Sequence, residues 1–453
     1  MTDREPWFGT DGVRDRAGEG RLSPDNVRRL GRAVGSWARE RLGPGVRILA
    51  GRDTRPSGRD LLHQLAEGMA VEGVALEDGG VLPTPAIAWW VASGGCEVGL
   101  AITASHNPSA DNGVKVLLRG GRKATREEEA DFEGRLRSLP AATAPPRIVP
   151  RTEAADRYVA AAVAALESQG RLDGLRLVAD CANGATTRTA VRVLEALGAD
   201  VRTPVGSQPE GEINAGCGTE HPEAWRSAVV SERADGGLAF DGDGDRVLLA
   251  DERGEVLDGD PVLHLLAREM HARGALPGDL VVSTVMANAG LEDALAEFGV
   301  RLDRTPVGDR FVAERMRSTG AALGGEPSGH VLLRWGEALL GDGLVAGVRA
   351  LQAARVRGLK LSAARAEVPR WPQVLRNVRV QQKVPLEQAP AFLDAVRREE
   401  GALAGRGRVV VRYSGTEPLL RIMVEAPDEA AVRAAVARLE TAAAGIGAPR
   451  PRL

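Results

Sequence analysis

A short apolar run, a polar loop, an amphipathic stretch and a glycine recur three times along this chain, always in that order. The first pass is Val46-Arg47-Ile48-Leu49-Ala50, then Gly51-Arg52-Asp53-Thr54-Arg55, then a stripe of Leu61, Leu65 and Met69 ended by Gly73, after which Val74-Ala75-Leu76 opens the next run. The second is Leu175-Arg176-Leu177-Val178-Ala179, the loop Asp180-Cys181-Ala182-Asn183-Gly184, the stripe Val191, Leu194 and Leu197, and Gly198. The third is Leu280-Val281-Val282-Ser283, the loop Met286-Ala287-Asn288-Ala289-Gly290, the stripe Leu291, Leu295 and Phe298, and Gly299. Apolar residues three and four apart share one helix face, and short apolar runs bounded by turn formers read as strands. The repeated order predicts α/β units around mostly parallel strands.

With 453 residues the chain exceeds what one hydrophobic core serves, and the prior is roughly three or four domains of about 100–150 residues. Candidate joints lie at Ala141-Ala142-Thr143-Ala144-Pro145-Pro146, near Asp251–Asp260, and at Pro369-Arg370-Trp371-Pro372. The expected division is residues 1–150, 151–255 and 256–370 as three related α/β domains with mixed, mostly parallel sheets. Residues 371–453 form a C-terminal α+β domain: an alternating strand at Val378-Arg379-Val380, an Ala-rich helix near 387–399, a strand over Val409–Arg412 and a closing helix near 428–443.

The formal net charge is -3, so neither nucleic acid nor a membrane surface is expected as a partner. The first thirty residues are polar and charged, unlike a signal peptide, and no apolar run approaches the roughly 18 residues of a membrane span. Cys96, Cys181 and Cys217 are odd in number and lack metal-type spacing, which predicts buried or inert thiols. A soluble cytoplasmic protein, monomer or homodimer, is expected.

Four stretches carry chemistry. Thr103-Ala104-Ser105-His106-Asn107-Pro108 follows the apolar run Val98–Ile102, so it is a loop at a strand end where a substrate can reach the Ser105 hydroxyl. Asp111-Asn112-Gly113 reads as a turn that would fold Lys115 back toward Ser105. Asp241-Gly242-Asp243-Gly244-Asp245-Arg246 sits between two apolar runs; carboxylates at alternate positions with glycines between them can converge on one hard cation such as Mg²⁺. A strand follows rather than a helix, which argues against a calcium loop, and without a cation the three acids repel one another. Gly324-Gly325-Glu326-Pro327-Ser328-Gly329-His330 offers a carboxylate, a hydroxyl and an imidazole suited to sugar hydroxyls. Arg412-Tyr413-Ser414-Gly415-Thr416-Glu417-Pro418, with Arg421, offers backbone N–H groups, hydroxyls and a guanidinium fork to a phosphate. No Walker lysine motif is present. At the N-terminus, Phe8-Gly9-Thr10-Asp11-Gly12-Val13-Arg14 reads as a tight loop exposing Arg14.

Taken in this order, the stretches resemble the α-D-phosphohexomutases over essentially the whole chain. Phe8–Arg14, Val307-Gly308-Asp309-Arg310 and Ala104–Pro108 with Asp111–Lys115 are most similar to the bacterial glucosamine-phosphate type. The resemblance implies four domains around a central cleft and a mutase that interconverts glucosamine 6-phosphate and glucosamine 1-phosphate. It implies a phosphoserine at Ser105 and one Mg²⁺ per chain held by Ser105, Asp241, Asp243 and Asp245. A hexose bisphosphate would serve as intermediate and activator. Arg14, His106, Lys115, Arg246 and His330 would surround the reacting oxygens, with Lys115 and His330 as proton carriers. Glu326 and Ser328 would bind the sugar, and Arg412, Ser414, Gly415, Thr416 and Arg421 the phosphate not in transfer, on a C-terminal domain that moves as a lid. Asp15, Pro327 and Leu339-Leu340 depart from the family pattern. Pro327 matches neither the glucosamine type nor the glucose and mannose types, so a phosphomannomutase or phosphoglucomutase is the alternative reading. A metal-dependent phosphatase and a non-catalytic sugar-phosphate binder are the remaining ones.

Overall fold

The computed structural model describes residues 6–9, 11–203, 205–208, 211–403, 405–414, 418–444 and 446. They fall into two compact units, Met1–Thr284 with Phe298–Glu367, and Val285–Glu297 with Val368–Leu453.

The first unit holds three sheets. The first sheet contains β1 (Val13–Arg16), β2 (Ile48–Arg52), β3 (Leu76–Val81), β4 (Val98–Ile102), β5 (Asp111–Leu118), β6 (Arg122–Lys123) and β7 (Ile148–Pro150), ordered β1-β5-β4-β2-β3-β7 with β6 beside β5. Its helices are α1 (Pro24–Leu42), α2 (Gly58–Val71), α3 (Thr84–Ala92) and α4 (Arg126–Ser138). Leu61, Leu65 and Met69 are buried on α2, and Gly73 takes a φ of 74° to end that pass, as the periodicity predicts. Trp37, Phe132, Leu30, Leu65 and the inward residues of β2 and β4 make one core.

The second sheet contains β8 (Arg176–Asp180), β9 (Asp200–Arg202), β10 (Gly236–Phe240), β11 (Val247–Asp251) and β12 (Val256–Leu257), ordered β12-β11-β10-β8-β9, with helices α5 (Ala154–Glu167), α6 (Ala190–Ala196) and α7 (Pro222–Ser231). The third contains β13 (Leu280–Thr284), β14 (Arg301–Thr305), β15 (Leu323–Gly325), β16 (Val331–Trp335) and β17 (Ala338–Gly341), ordered β14-β13-β15-β16-β17. The accompanying helices are α8 (Gly259–Ala272), α10 (Asp309–Thr319), α11 (Gly343–Val356) and α12 (Leu361–Ala366), whereas α9 (Ala289–Ala296) lies in the second unit.

Each sheet repeats one connection. A strand paired in parallel on one side (β4, β10, β15) turns into a strand antiparallel to it (β5, β11, β16). The Ser105 loop, the Asp241–Asp245 loop and the Glu326–His330 loop are these three connections. The threefold repeat in the sequence therefore places three chemically loaded loops at equivalent positions.

The second unit joins α9 to the C-terminal residues. Its sheet is antiparallel, β18 (Gln373–Arg379), β19 (Arg408–Tyr413) and β20 (Leu419–Glu425) in the order β18-β20-β19, packed with α13 (Pro390–Ala402) and α14 (Glu429–Ala443). Asn288 accepts from Trp371 N at 2.9 Å, and Glu425 accepts from Ala289 N at 3.0 Å at the start of α9. The helix of the third repeat thus belongs to the C-terminal unit, which the sequence pattern does not predict.

Other details differ as well. Asp111-Asn112-Gly113 is the start of β5, not a turn. Asn112 Oδ1 accepts from Gly113 N at 2.8 Å, and Asn112 Nδ2 donates to Ser57 Oγ at 2.8 Å. A Cβ on Gly113 would strike the carbonyl oxygens of Thr103 and Val13, so glycine is there for close strand approach. Arg14 lies on β1, paired with Gly113, rather than at a loop tip. Val191 is half-buried, and Val193 with Leu194 carries the buried face of α6; Phe298 lies beyond α9. Leu339 joins the core of the third sheet with Val282, Val312 and Met316, which accounts for an apolar residue there. Among the described residues no helix is long and apolar enough to cross a membrane.

Candidate active site

Ser105 follows a strand, Val98–Ile102, whose residues are all buried. Its backbone is left-handed, φ 52°, an uncommon state for a residue with a Cβ. Thr103 Oγ1 accepts from Ser105 N at 2.9 Å. The Ser105 hydroxyl, 1 % exposed, donates to Asp241 Oδ2 at 2.5 Å, and His106 Nδ1 lies 3.3 Å from the same oxygen.

The acidic loop is shaped by its own first carboxylate. Asp241 Oδ1 accepts from Gly244 N at 3.1 Å and Arg246 N at 3.2 Å, and Gly244 takes a φ of 75° to allow it. This brings oxygens of Asp241, Asp243 and Asp245 within 4.8 Å of one another, all buried. Asp243 Oδ2 accepts from Thr84 Oγ1 at 2.5 Å, at the start of α3, and from Lys115 Nζ at 2.7 Å. Lys115 Nζ also lies 3.1 Å from Asp245 Oδ2. Lys115 is paired with Ala101 on β4, so the fold-back expected of it comes from antiparallel strand pairing.

Electrostatics separates the three acids. Burial, with Asp243 and Asp245 close by, pushes the Asp241 carboxyl well above its ordinary range. Burial acts the same way on Asp245, but Lys115 and His330 outweigh it and hold that group well below the ordinary range. Burial would lower the Lys115 pKa; Asp11, Asp243 and Asp245 override it and raise it well above normal. These residues fit a hard cation. The donor set is three carboxylates, and Asp243 Oδ1 is buried with no hydrogen-bond partner among the described residues.

A chain of alternating charge extends from the loop. Lys123 pairs with Asp11 and lies 2.6 Å from Asp309 Oδ2. His330 lies between carboxylates, with Nδ1 3.4 Å from Asp245 Oδ1 and Nε2 3.7 Å from Asp309 Oδ2. Burial alone would depress its pKa, but Asp245 and Asp309 bring it up to about 8. Arg14 pairs with Asp11. Arg246 Nε is 4.0 Å from Asp245 Oδ1, and its pKa is raised, because Asp241 and Asp245 outweigh burial. Burial, then Arg246, lowers the His106 pKa.

Glu326 accepts from Gly308 N at 3.1 Å, and burial raises its carboxyl pKa. Ser328 is exposed on the same turn. The structure thus brings together Ser105, His106, Lys115, Asp241, Asp243, Asp245, Arg246 and His330, with Arg14 joined through Asp11 and Glu326 beside Arg246 and His330. In the second unit Arg412 and Arg421 stand directly opposite on β19 and β20, and Ser414, just past β19, is buried. Gly415 and Thr416 lie outside the described residues. Sequence reasoning missed Asp11, Lys123 and Asp309 as members of the charge chain, Thr84 as a donor to Asp243, and Arg55 and Asn214 as donors to the carbonyls of the serine loop. Asp11 and Asp309 lay inside quoted motifs; Lys123, Thr84 and Asn214 carried no signal.

Four family descriptions match in sequence: phosphoglucomutase/phosphomannomutase alpha/beta/alpha domain I over residues 5–141, domain II over 156–254, domain III over 258–371 and the C-terminal domain over 375–442. The chain belongs to the phosphoglucomutase/phosphomannomutase family of sugar-phosphate mutases. The phosphoglucosamine mutase of Moorella thermoacetica is 44% identical over 97% of this chain and 99% of its own. That of Alkalilimnicola ehrlichii is 43% identical over 95% of each. Among solved structures, a phosphoglucomutase/phosphomannomutase family protein from Burkholderia thailandensis superposes with a TM-score of 0.80 at 27% identity, covering 99% of both chains. The Aspergillus fumigatus N-acetylphosphoglucosamine mutase, solved with GlcNAc-6P and magnesium, shares the fold at a TM-score of 0.63, 18% identity and 96% coverage of this chain and 95% of that one.

Proposed function

We propose that this enzyme interconverts glucosamine 6-phosphate and glucosamine 1-phosphate through a phosphorylated Ser105 and a sugar bisphosphate. The observation that carries the chemistry is the Ser105 hydroxyl, 2.5 Å from the first of three buried carboxylates. The relatives named phosphoglucosamine mutase, 44% and 43% identical over nearly the full chain, support the substrate.

Phosphoryl transfer breaks the bond from Ser105 Oγ to phosphorus and forms one from a sugar hydroxyl oxygen. The hydroxyl proton passes to a base of the protein, and the departing Ser105 Oγ takes a proton from an acid of the protein. The bisphosphate then turns over and its other phosphoryl group returns to Ser105. Asp241, Asp243 and Asp245, with the Ser105 phosphate, would hold Mg²⁺, which when bound neutralises the charge on the group in transfer. Lys115 and His330 are the proton carriers, and Arg14, Arg246 and His106 surround the reacting oxygens. Glu326 and Ser328 hold sugar hydroxyls. A hexose bisphosphate would prime Ser105. Arg412 and Arg421, with Ser414, Gly415 and Thr416, hold the phosphate not in transfer. Arg412 and Arg421, directly opposite on adjacent strands, can both reach one anion.

Profiling the purified enzyme, primed with a hexose bisphosphate, on glucosamine, glucose and mannose 6-phosphates by phosphorus NMR tests the assignment. Preferred isomerisation of glucosamine 6-phosphate is expected. Turnover of glucose or mannose phosphates with none of glucosamine 6-phosphate would overturn it.

A further inference from the structure

Two side chains outside the reacting cluster grip the same two carbonyl oxygens of the serine loop. Arg55 Nη2 donates to Ser105 O at 3.0 Å and Asn107 O at 2.7 Å. Asn214 Nδ2 donates to the same oxygens, at 2.9 Å each. Arg55 comes from the loop after β2 in the first sheet. Asn214 comes from the segment between β9 and α7 of the second, where it too is left-handed, φ 60°, with its own N–H bonded to Ala182 O at 2.9 Å.

Arg55 is built for this. Its side chain is fully buried and its Nε donates to Asp53 Oδ2 at 2.9 Å. Thr103 Oγ1 donates to the same Asp53 oxygen at 2.6 Å. Arg55 Nη1 donates to Asp111 O at 2.8 Å and to Pro108 O. A guanidinium has five N–H donors in a fixed planar fork, and here each has an acceptor, four of them carbonyls from both ends of the serine loop. Lysine, with three donors on one nitrogen, cannot reproduce these five bonds.

The grip matters because of what Ser105 does between those bonds. A left-handed residue with a Cβ persists only where its surroundings hold it. Fixing Ser105 O fixes the plane of the Ser105–His106 peptide, and with it the direction of the Ser105 side chain. On the far side, a Cβ on Gly242 would strike Ser105 O, so the acidic loop packs its backbone against the same oxygen. The serine carbonyl is held by the first sheet, the second sheet and the acidic loop together, and the hydroxyl meets Asp241 as a result.

We propose that Arg55 and Asn214 are positioning residues for phosphoryl transfer, acting through the Ser105 and Asn107 carbonyls to hold Ser105 Oγ in register with Asp241. Asn214 does so from the other sheet, so the transfer geometry depends on the 211–218 segment of the second sheet's domain. This inference rests on the proposed role of Ser105 in transfer.

The test is Asn214→Ala and the isosteric Asn214→Asp, which puts a carboxylate where two donors were, with Arg55→Lys as a second site. Misplacement of about 1 Å costs on the order of 10²-fold in rate, so Asn214→Ala is expected to lose about 10- to 100-fold in kcat with KM within about twofold. Asn214→Asp is expected to lose at least as much in kcat and also to melt lower, because its carboxylate is buried against two carbonyl oxygens, whereas Asn214→Ala, with Arg55 still bonded to both carbonyls, is expected to melt closer to the parent. A crystal structure of Asn214→Ala reads the geometry without any assay. Ser105 is expected to leave the left-handed region and its Oγ to move out of hydrogen-bond range of Asp241. Should the parent enzyme fail to isomerise any sugar phosphate, the functional reading fails while this geometric readout still decides the clamp. Unchanged Ser105 geometry in the variant, or kcat within twofold of the parent, would overturn the proposal. So would a loss confined to KM.

Discussion

Lys115 Nζ lies 2.7 Å from Asp243 and 3.1 Å from Asp245, fully buried, and so supplies from the protein part of the positive charge that the acidic loop requires. Asp241 is left facing Ser105.

Replacing Lys115 with Met removes that charge and leaves Asp11, Asp243 and Asp245 without it. Breaking a buried ion pair from one side costs about 3–5 kcal/mol, so the variant in EDTA is expected to melt well below the parent. Added Mg²⁺ is expected to raise its melting temperature more than it raises the parent's. Calorimetry with and without Mg²⁺ checks both: an equal rise in the two proteins would count against Lys115 sharing the charge that the loop requires, and no rise in either would count against a cation at the acidic loop.

Arg421→Ala is expected to raise KM for the sugar phosphate by about 10- to 100-fold, the loss of one charge-assisted interaction of about 1.5–3 kcal/mol. Phosphorylation of Ser105 by a hexose bisphosphate at saturation is expected to change less. Steady-state kinetics read beside intact mass separate the two.

Stability against pH has a separate handle. His264 on α8 is buried against Phe298, ring centroids 5.6 Å apart, and neither ring nitrogen has a hydrogen-bond partner among the described residues. Burial, with Arg268 and Arg357 adding to it and Glu367 opposing, lowers its pKa from 6.5 to about 4. The unfolded chain therefore takes up this proton first. Stability is full above about pH 6.5 and is lost as the pH falls toward 4, by up to about 3 kcal/mol. His264→Leu is expected to flatten that slope in denaturant melts at pH 7.5, 5.5 and 4.5.

A second buried acid runs the other way. Asp342 caps α11 by accepting from Val345 N at 3.0 Å and accepts from Tyr158 Oη at 2.7 Å. Burial raises its pKa to about 6 against those bonds. The folded state holds this proton more firmly, so its contribution weakens as pH rises from about 4 to 6. Asp342→Asn keeps the acceptor for Val345 N, while the Tyr158 hydroxyl can turn to accept from the new Nδ2, and the variant is expected to remove this part of the pH dependence. Tyr158→Phe is expected to cost about 1–3 kcal/mol at neutral pH, leaving a buried carboxylate short of a donor.

Much of this site was legible because the chemistry is local. Three carboxylates at alternate positions with glycines between them announce a convergent loop whatever surrounds it, and Ser105 at the end of a wholly apolar strand could only be a loop residue. Asn112-Gly113 misled because that dipeptide is a strong turn former, whereas here Gly113 is flanked by the backbones of two strands. β20 was not anticipated: Leu419–Val424 is nearly continuous in apolar residues, and Arg421 drew attention as an anion ligand rather than as part of a central strand. The charge chain from Asp11 through Lys123 to Asp309 and the grip of Asn214 on the serine loop join residues far apart in sequence. Asp11 and Asp309 stand in motifs legible in the sequence, but nothing local marks Lys123 or Asn214, and only the packing of the folded chain shows which residues meet.

The most direct measurement follows the phosphate on Ser105. Enzyme carrying a labelled Ser105 phosphate is mixed with glucosamine 6-phosphate, quenched over time, and both the Ser105 peptide and the sugars are analysed by mass. The label is expected to pass into glucosamine bisphosphate and then glucosamine 1-phosphate, with Ser105 phosphorylated again and Ser105→Ala inactive. Release of the label as inorganic phosphate without isomerised sugar, or turnover by Ser105→Ala at the parent rate, would contradict a serine-borne phosphoryl exchange.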